Sequence, residues 1–254
     1  MKTKLILVGL FLIGILASAQ EVKFGVKGGL NISLLSLSGS IPAGGSTSSN
    51  TGFVIGGIAD IKINDKLSIQ PELLFSNDGG TYQYTNTVDA NINFTGVYGQ
   101  KITTNSLSIP IVAKYNVIDN LSIDAGVQIS YLLSAKSTVD YNIIGFGAIS
   151  GESTDMTNNQ TVFINNATPN NKINILHDYE LNRLNFGLLL GTTYNLKNGV
   201  FIQARYNLGL TSFTKNANAL SGKELSSGDD GDLRYKGATL KNSNFQFTVG
   251  YKFL

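Results

Sequence analysis

The chain contains no cysteine, so neither a disulfide framework nor a thiolate metal site is available to it. With only one histidine as well, His177, a structural zinc site is not expected. Charged residues make up 14% of the chain, well below the usual quarter. No Pro/Ser-rich linker and no break in composition divides the 254 residues. Beyond the first twenty positions no apolar run is long enough for a membrane-crossing helix. A mature chain of this kind can sit in a membrane only as a closed barrel, because only helices and barrels satisfy their backbone in lipid. What is abundant is Gly, Ser, Thr and Asn, a β-rich and polar but uncharged composition. It disfavours both a helical bundle and a charged disordered chain.

Residues 1–19 read as a secretory signal peptide. Lys2 and Lys4 give a positive start, an apolar run follows from Leu5 to Leu16, and Ala17-Ser18-Ala19 has the small-x-small form of a cleavage site. The run is about half of what a spanning helix needs. No cysteine follows it, which excludes a lipoprotein. Of 19 basic residues two precede the cut, leaving 17 against 17 acidic ones. A neutral mature chain, 20–254, has no basic footprint for nucleic acid.

Eight segments of the mature chain alternate with period two, the signature of strands. They are about 22–32, 52–63, 67–76, 107–117, 121–133, 184–196, 200–210 and 244–253. They run ten to thirteen residues, about the length of a tilted membrane-crossing strand. Short connections at Asn64-Asp65-Lys66, Ile118-Asp119-Asn120 and Lys197-Asn198-Gly199 alternate with long ones at about 34–51, 77–105, 134–182 and 212–242. Asn-Gly is a strong hairpin signal. Four long loops on one end are rare in soluble domains and routine in outer-membrane barrels. The expected fold is therefore an all-β, eight-stranded antiparallel up-and-down transmembrane barrel with short periplasmic turns and four long extracellular loops. Thr81-Tyr82-Gln83-Tyr84 and the stretch from Tyr141 to Ala148 keep some alternation and are expected to prolong hairpins beyond the membrane.

Alternation alone does not say which face looks inward. One face is almost unbroken in apolar residues and gathers aromatics near the strand ends. Phe24, Tyr115, Tyr194, Tyr251 and Phe253 lie on the short-turn side, and Phe53, Phe75 and Tyr131 on the long-loop side. This resembles interfacial girdles, with the apolar face toward lipid. The opposite face carries Lys23, Lys27, Asp60, Lys62, Glu72, Lys114, Asp124, Arg205 and Lys252. Eight strands enclose a space that side chains just fill, and buried charges must pair. Glu72, Lys114, Asp124 and Arg205 are the candidates for a structural ion-pair network across the lumen.

Chemistry beyond this is sparse, and no catalytic, cofactor-binding or metal residue is assigned. His177 has Asp178 and Glu180 beside it in sequence, but geometry and not adjacency makes a catalytic triad. Ser227-Gly228-Asp229-Asp230-Gly231-Asp232 lacks the spacing of a calcium loop and reads as an exposed acidic turn. Paired glycines such as Gly28-Gly29 and Gly56-Gly57 fall in strands, where they allow bending or close packing.

The sequence resembles the PorT-type outer-membrane β-barrel family of the Bacteroidota, among the small OmpA/OmpX-like barrels. The resemblance rests on Phe24-Gly25-Val26-Lys27-Gly28-Gly29-Leu30-Asn31, on Ile69-Gln70-Pro71-Glu72-Leu73-Leu74-Phe75, on Leu107-Ser108-Ile109-Pro110-Ile111-Val112-Ala113-Lys114-Tyr115 and on the terminal Val249-Gly250-Tyr251-Lys252-Phe253. Many such barrels end on an aromatic, whereas here Leu254 follows Phe253. The resemblance implies an outer-membrane location and no particular activity. The expected function is that of a non-enzymatic, porin-like barrel, structural or surface-binding through its loops. Its partners would be outer-membrane lipid and an extracellular or periplasmic protein, with no cofactor. Two alternatives stay open: a soluble secreted lipocalin-like barrel holding a small apolar ligand, and a lipid-modifying outer-membrane enzyme.

Overall fold

Alternating Val, Ile, Leu and aromatic residues with small polar ones favour extended chain, and cross-strand pairing fixes it. A computed structural model describes residues 21–38, 46–89, 94–143, 147–153, 182–212, 221–222, 233–235 and 239–253. The expected signal segment 1–19, His177 and the acidic run 227–232 lie outside the described residues. The strands are β1 (Glu21–Ser38), β2 (Ser46–Lys62), β3 (Leu67–Asp89), β4 (Phe94–Ile118), β5 (Leu121–Ile143), β6 (Gly147–Ser153), β7 (Leu184–Asn195), β8 (Val200–Gly209), β9 (Ser221–Gly222), β10 (Leu233–Tyr235) and β11 (Thr239–Lys252).

Eight of them form a ring in the order β4-β3-β2-β1-β11-β8-β7-β5, closed by pairing of β4 with β5. Every neighbour is antiparallel. The first strand closes on the last, from Gly25↔Lys252 to Ser38↔Thr239. Closure of this kind removes the sheet edges that lipid would not tolerate. The short turns are where the sequence placed them. Asn64 Oδ1 accepts the amides of Lys66 and Leu67, each at 2.9 Å. Asn198 and Gly199 take φ of 65° and 82°, the left-handed pair that a tight hairpin turn requires.

The long connections carry the hairpin extensions expected at 81–84, which pairs with 98–101, and at 141–148, where Ile143 pairs with Gly147, but the strands run further than expected. β3, β4 and β5 run for 23, 25 and 23 residues, about twice the expected span. The β3–β4 ladder continues to Asp89↔Phe94, through most of the segment expected as loop 77–105. β5 pairs with β7 over Leu121–Tyr131 and, further along, with β6 over Ser137–Ile143. Beyond the lipid no apolar face is required, so the ladder persists with only partial alternation. Thr and Tyr at positions such as Thr81, Tyr82, Thr85 and Tyr98 still favour it. β3 to β6 thus rise as a wall from one side of the rim. An unpaired Leu133, between Asn105↔Ser134 and Ser106↔Leu132, marks where that wall leaves the ring.

The orientation of the faces is unambiguous. Phe247, Ile123 and Leu188 are 51%, 49% and 45% exposed around the outside, whereas Glu72 and Arg205 are 5% and 3% exposed. A soluble barrel with an apolar interior is the reverse of this arrangement. Among the girdle residues Phe24, Tyr115, Tyr194, Tyr251 and Phe253 are exposed at one end, as are Phe53 and Tyr131 at the other. Phe75 is half-buried, its ring 5.9 Å from that of Phe53.

The interior is not wholly polar. Val54, Leu74, Val112 and Phe201 are buried as well. Sequence reading passed over them because Phe53-Val54-Ile55 and Leu73-Leu74-Phe75 are apolar at both parities. Phe201 lies against Gly250 of the neighbouring strand. A Cβ on that glycine would come 2.2 Å from the ring, so the phenylalanine occupies the place of a side chain on β11.

Candidate functional site

The centre of the lumen is one connected polar assembly. Glu72 on β3 is its hub. Lys27 Nζ donates to its Oε2 at 2.8 Å, and Gln70 Nε2 to its Oε1 at 2.7 Å. Arg205 grips it with two parallel bonds, NH1 to Oε2 and NH2 to Oε1, both 3.0 Å. This fork geometry is the strongest form of such a pair. Asp124 is the second anion. It accepts Ser122 Oγ at 2.9 Å, Thr193 Oγ1 at 2.6 Å and Gln203 Nε2 at 3.0 Å, with Arg205 NH2 at 3.8 Å. Lys27 also donates to Gln203 Oε1 at 2.8 Å, which ties the two anions together.

Lys114 takes a different place from the one its sequence neighbours suggest. It stands opposite Asp124 in the β4–β5 register. The Asp124 oxygens are taken by the donors just named. Lys114 Nζ instead donates to Gln70 Oε1 at 3.0 Å and lies 3.6 Å from Asp60 Oδ2. Asp60 in turn pairs with Lys252. Glu72, Asp124 and Arg205 are therefore in direct ion-pair contact, and Lys114 joins them through Gln70.

The strand origins of these groups are the main geometric finding. Lys27 comes from β1, Asp60 from β2, Gln70 and Glu72 from β3, Lys114 from β4, Asp124 from β5, Thr193 from β7, Gln203 and Arg205 from β8, and Lys252 from β11. Each of the eight ring strands sends at least one member. Sequence reading had Lys27, Asp60 and Lys252 on the correct face but outside the network. The neutral linkers Gln70, Thr193 and Gln203 carried no charge to signal them. Buried charges of this kind are tolerable only when paired and hydrogen-bonded. Among the described residues, no three His, Cys, Asp or Glu side chains are grouped to hold a metal ion.

Closed antiparallel ring, lipid-facing apolar belt and charge-filled lumen together define a small integral membrane barrel. The chain belongs to the outer membrane protein β-barrel domain family, whose model matches residues 18–215. Its place is accordingly the outer membrane. No curated protein matches it in sequence. Among solved structures it is similar to Neisserial surface protein A, at 13% identity and a TM-score of 0.41, covering 92% of this chain and 100% of that one. It is similar to Ail, the attachment invasion locus protein of Yersinia pestis, in complex with the heparin analogue sucrose octasulfate, at 12% identity, a TM-score of 0.39 and the same coverage. A third is the outer membrane protein OprG from Pseudomonas aeruginosa, at 10% identity, a TM-score of 0.35, and 93% and 98% coverage.

Proposed function

We propose that this barrel is a non-enzymatic, non-conducting scaffold of the PorT type in a bacterium of the Bacteroidota, presenting its extracellular hairpins for surface contacts. One observation carries the reading: the lumen is filled at mid-height by a network to which all eight ring strands contribute. An ion crossing there would have to part the Glu72–Arg205 fork, whose members are both buried. Breaking such a pair in a low-dielectric interior costs several kcal/mol, on the order of 3–5. What is left to act is the outside. The wall of β3 to β6 stands about ten residues beyond the last lipid-facing side chains, roughly 30 Å of strand. Rigidly held segments of this kind suit the binding of an extracellular protein. The PorT-type assignment is supported by the four quoted motifs, which fall on β1, β3, β4 and β11 of the ring.

Planar-bilayer recording of the refolded protein tests the scaffold. The expected trace is silent or shows only rare, small events. Stable open channels of nanosiemens size would overturn the non-conducting reading.

A further inference from the structure

The mouth of the barrel on the short-turn side is a cavity of about 330 Å³. All three tight turns ring it, through Asn64, Asp119 and Gly199, and Lys114 and Lys252 line its inner end. Its volume is that of a small-molecule site, which typically has about 300–1,000 Å³.

The polar assembly carries one positive charge too many, and the excess sits at this end. At mid-height Lys27 and Arg205 face Glu72 and Asp124, two against two. Here Lys114 and Lys252 share the single carboxylate of Asp60, standing 3.6 and 2.5 Å from the same Oδ2. Their side chains are 2% and 12% exposed. Asp78, the other buried anion of the lumen, lies about 20 Å of strand beyond Glu72 and away from this mouth. At the rim Lys23 pairs with Glu21 at 3.2 Å and Lys62 with Asp65 at 3.0 Å, so these four cancel. Asp119 is exposed on its turn, where water and salt screen it.

Both ammonium groups also keep one hydrogen unused, since each has three N–H donors. Lys114 directs one to Gln70 and one toward Asp60, and Lys252 directs one to Asp60 and one to Asn195 Oδ1 at 3.2 Å. The side-chain oxygens of Asn195 and Asn64 are engaged, with Lys252 and with the turn amides. Their NH2 groups remain as donors. We infer that this mouth binds one small monoanionic carboxylate from the periplasm, its two oxygens divided between Lys114 and Lys252. Charge-assisted bonds of this kind are the strong ones. The single charge matches the excess. A phosphate would bring up to two negative charges and set the second against Asp60. Chloride matches the charge but fills little of the cavity and leaves the amides unused. The carboxylate belongs to a free organic acid or to the end of a peptide chain, whose last carbonyl suits the asparagine NH2 groups.

The test is an NMR titration of the ¹⁵N-labelled barrel in a non-ionic detergent. The probes are acetate, N-acetyl-alanyl-alanine and the C-terminal amide of that dipeptide. Both acids are expected to shift the backbone amides of Lys114, Asn195 and Lys252 saturably, the tighter with half-saturation on the order of 1 mM. The uncharged amide is expected to leave them in place. Equal affinity for the two acids marks the ligand as a free acid, and tighter dipeptide binding marks a chain end. Two substitutions should move the affinity in opposite directions. Lys252→Gln removes the excess charge and is expected to weaken binding about tenfold, whereas Asp60→Asn doubles it and is expected to strengthen binding about tenfold. A merely structural disturbance would weaken both. The assignment would be overturned by equal shifts with the dipeptide amide or with chloride, by no saturable shift up to about 100 mM, or by weaker binding to a folded Asp60→Asn barrel.

Discussion

Glu72 shows how one side chain can govern a barrel. It receives four hydrogen bonds, three from cations and one from Gln70. Glu72→Gln keeps the shape and removes the charge, leaving Lys27 and Arg205 facing one another without an anion between them. The expected loss is about 3–5 kcal/mol. Urea titration of barrels folded into lipid vesicles measures it. Pairing the substitution with Arg205→Met should cost less than the sum of the single changes, because the two residues share one interaction. The sequence made Glu72, Lys114, Asp124 and Arg205 legible as inward charges. It did not make Lys27 legible as a member, nor show that Lys114 joins through Gln70. Parity gives the face of a strand. Height along the barrel axis comes from the stagger between strands, which alternation does not encode.

At the scale of the element, β8 and β11 are fitted to each other by a missing side chain. Gly250 leaves room for the Phe201 ring, the largest of the fully buried side chains. Gly250→Val is expected to abolish the folded, fast-migrating band on unheated gels. Adding Phe201→Ala should restore it, since the new side chain then has space. A band still missing in the double variant would place the requirement in the backbone instead. The alternating stretches of all eight ring strands were legible, together with the three tight turns, because lipid on one side and a packed lumen on the other enforce period two. In the outer halves of β3, β4 and β5 only residues 81–84 and the stretch from Tyr141 were legible as hairpin extensions. Beyond the lipid no apolar face is required, so nothing there imposes a strict pattern.

The whole molecule is organised by depth in the bilayer. Leu188 lies near the middle of β7 and Leu184 at its loop-side end, both facing lipid. Arginine at position 188 is expected to cost about 2–4 kcal/mol, and at position 184 no more than about 1 kcal/mol. The difference is read as a shift of the urea midpoint in vesicles. Equal costs at both depths would mean that the belt is not centred where its exposed leucines and isoleucines lie.

The shared membership of the lumen assembly also constrains how the ring comes into being. A partial ring, with two or three hairpins in lipid, would hold Glu72 without Arg205, or Asp60 without Lys252, because those partners arrive on strands far apart in the chain. Each bereft charge makes the half-built state poorer than either the unfolded or the finished one. Assembly should therefore resemble a lock whose tumblers fall together: molecules are found closed or open, with no stable stage between.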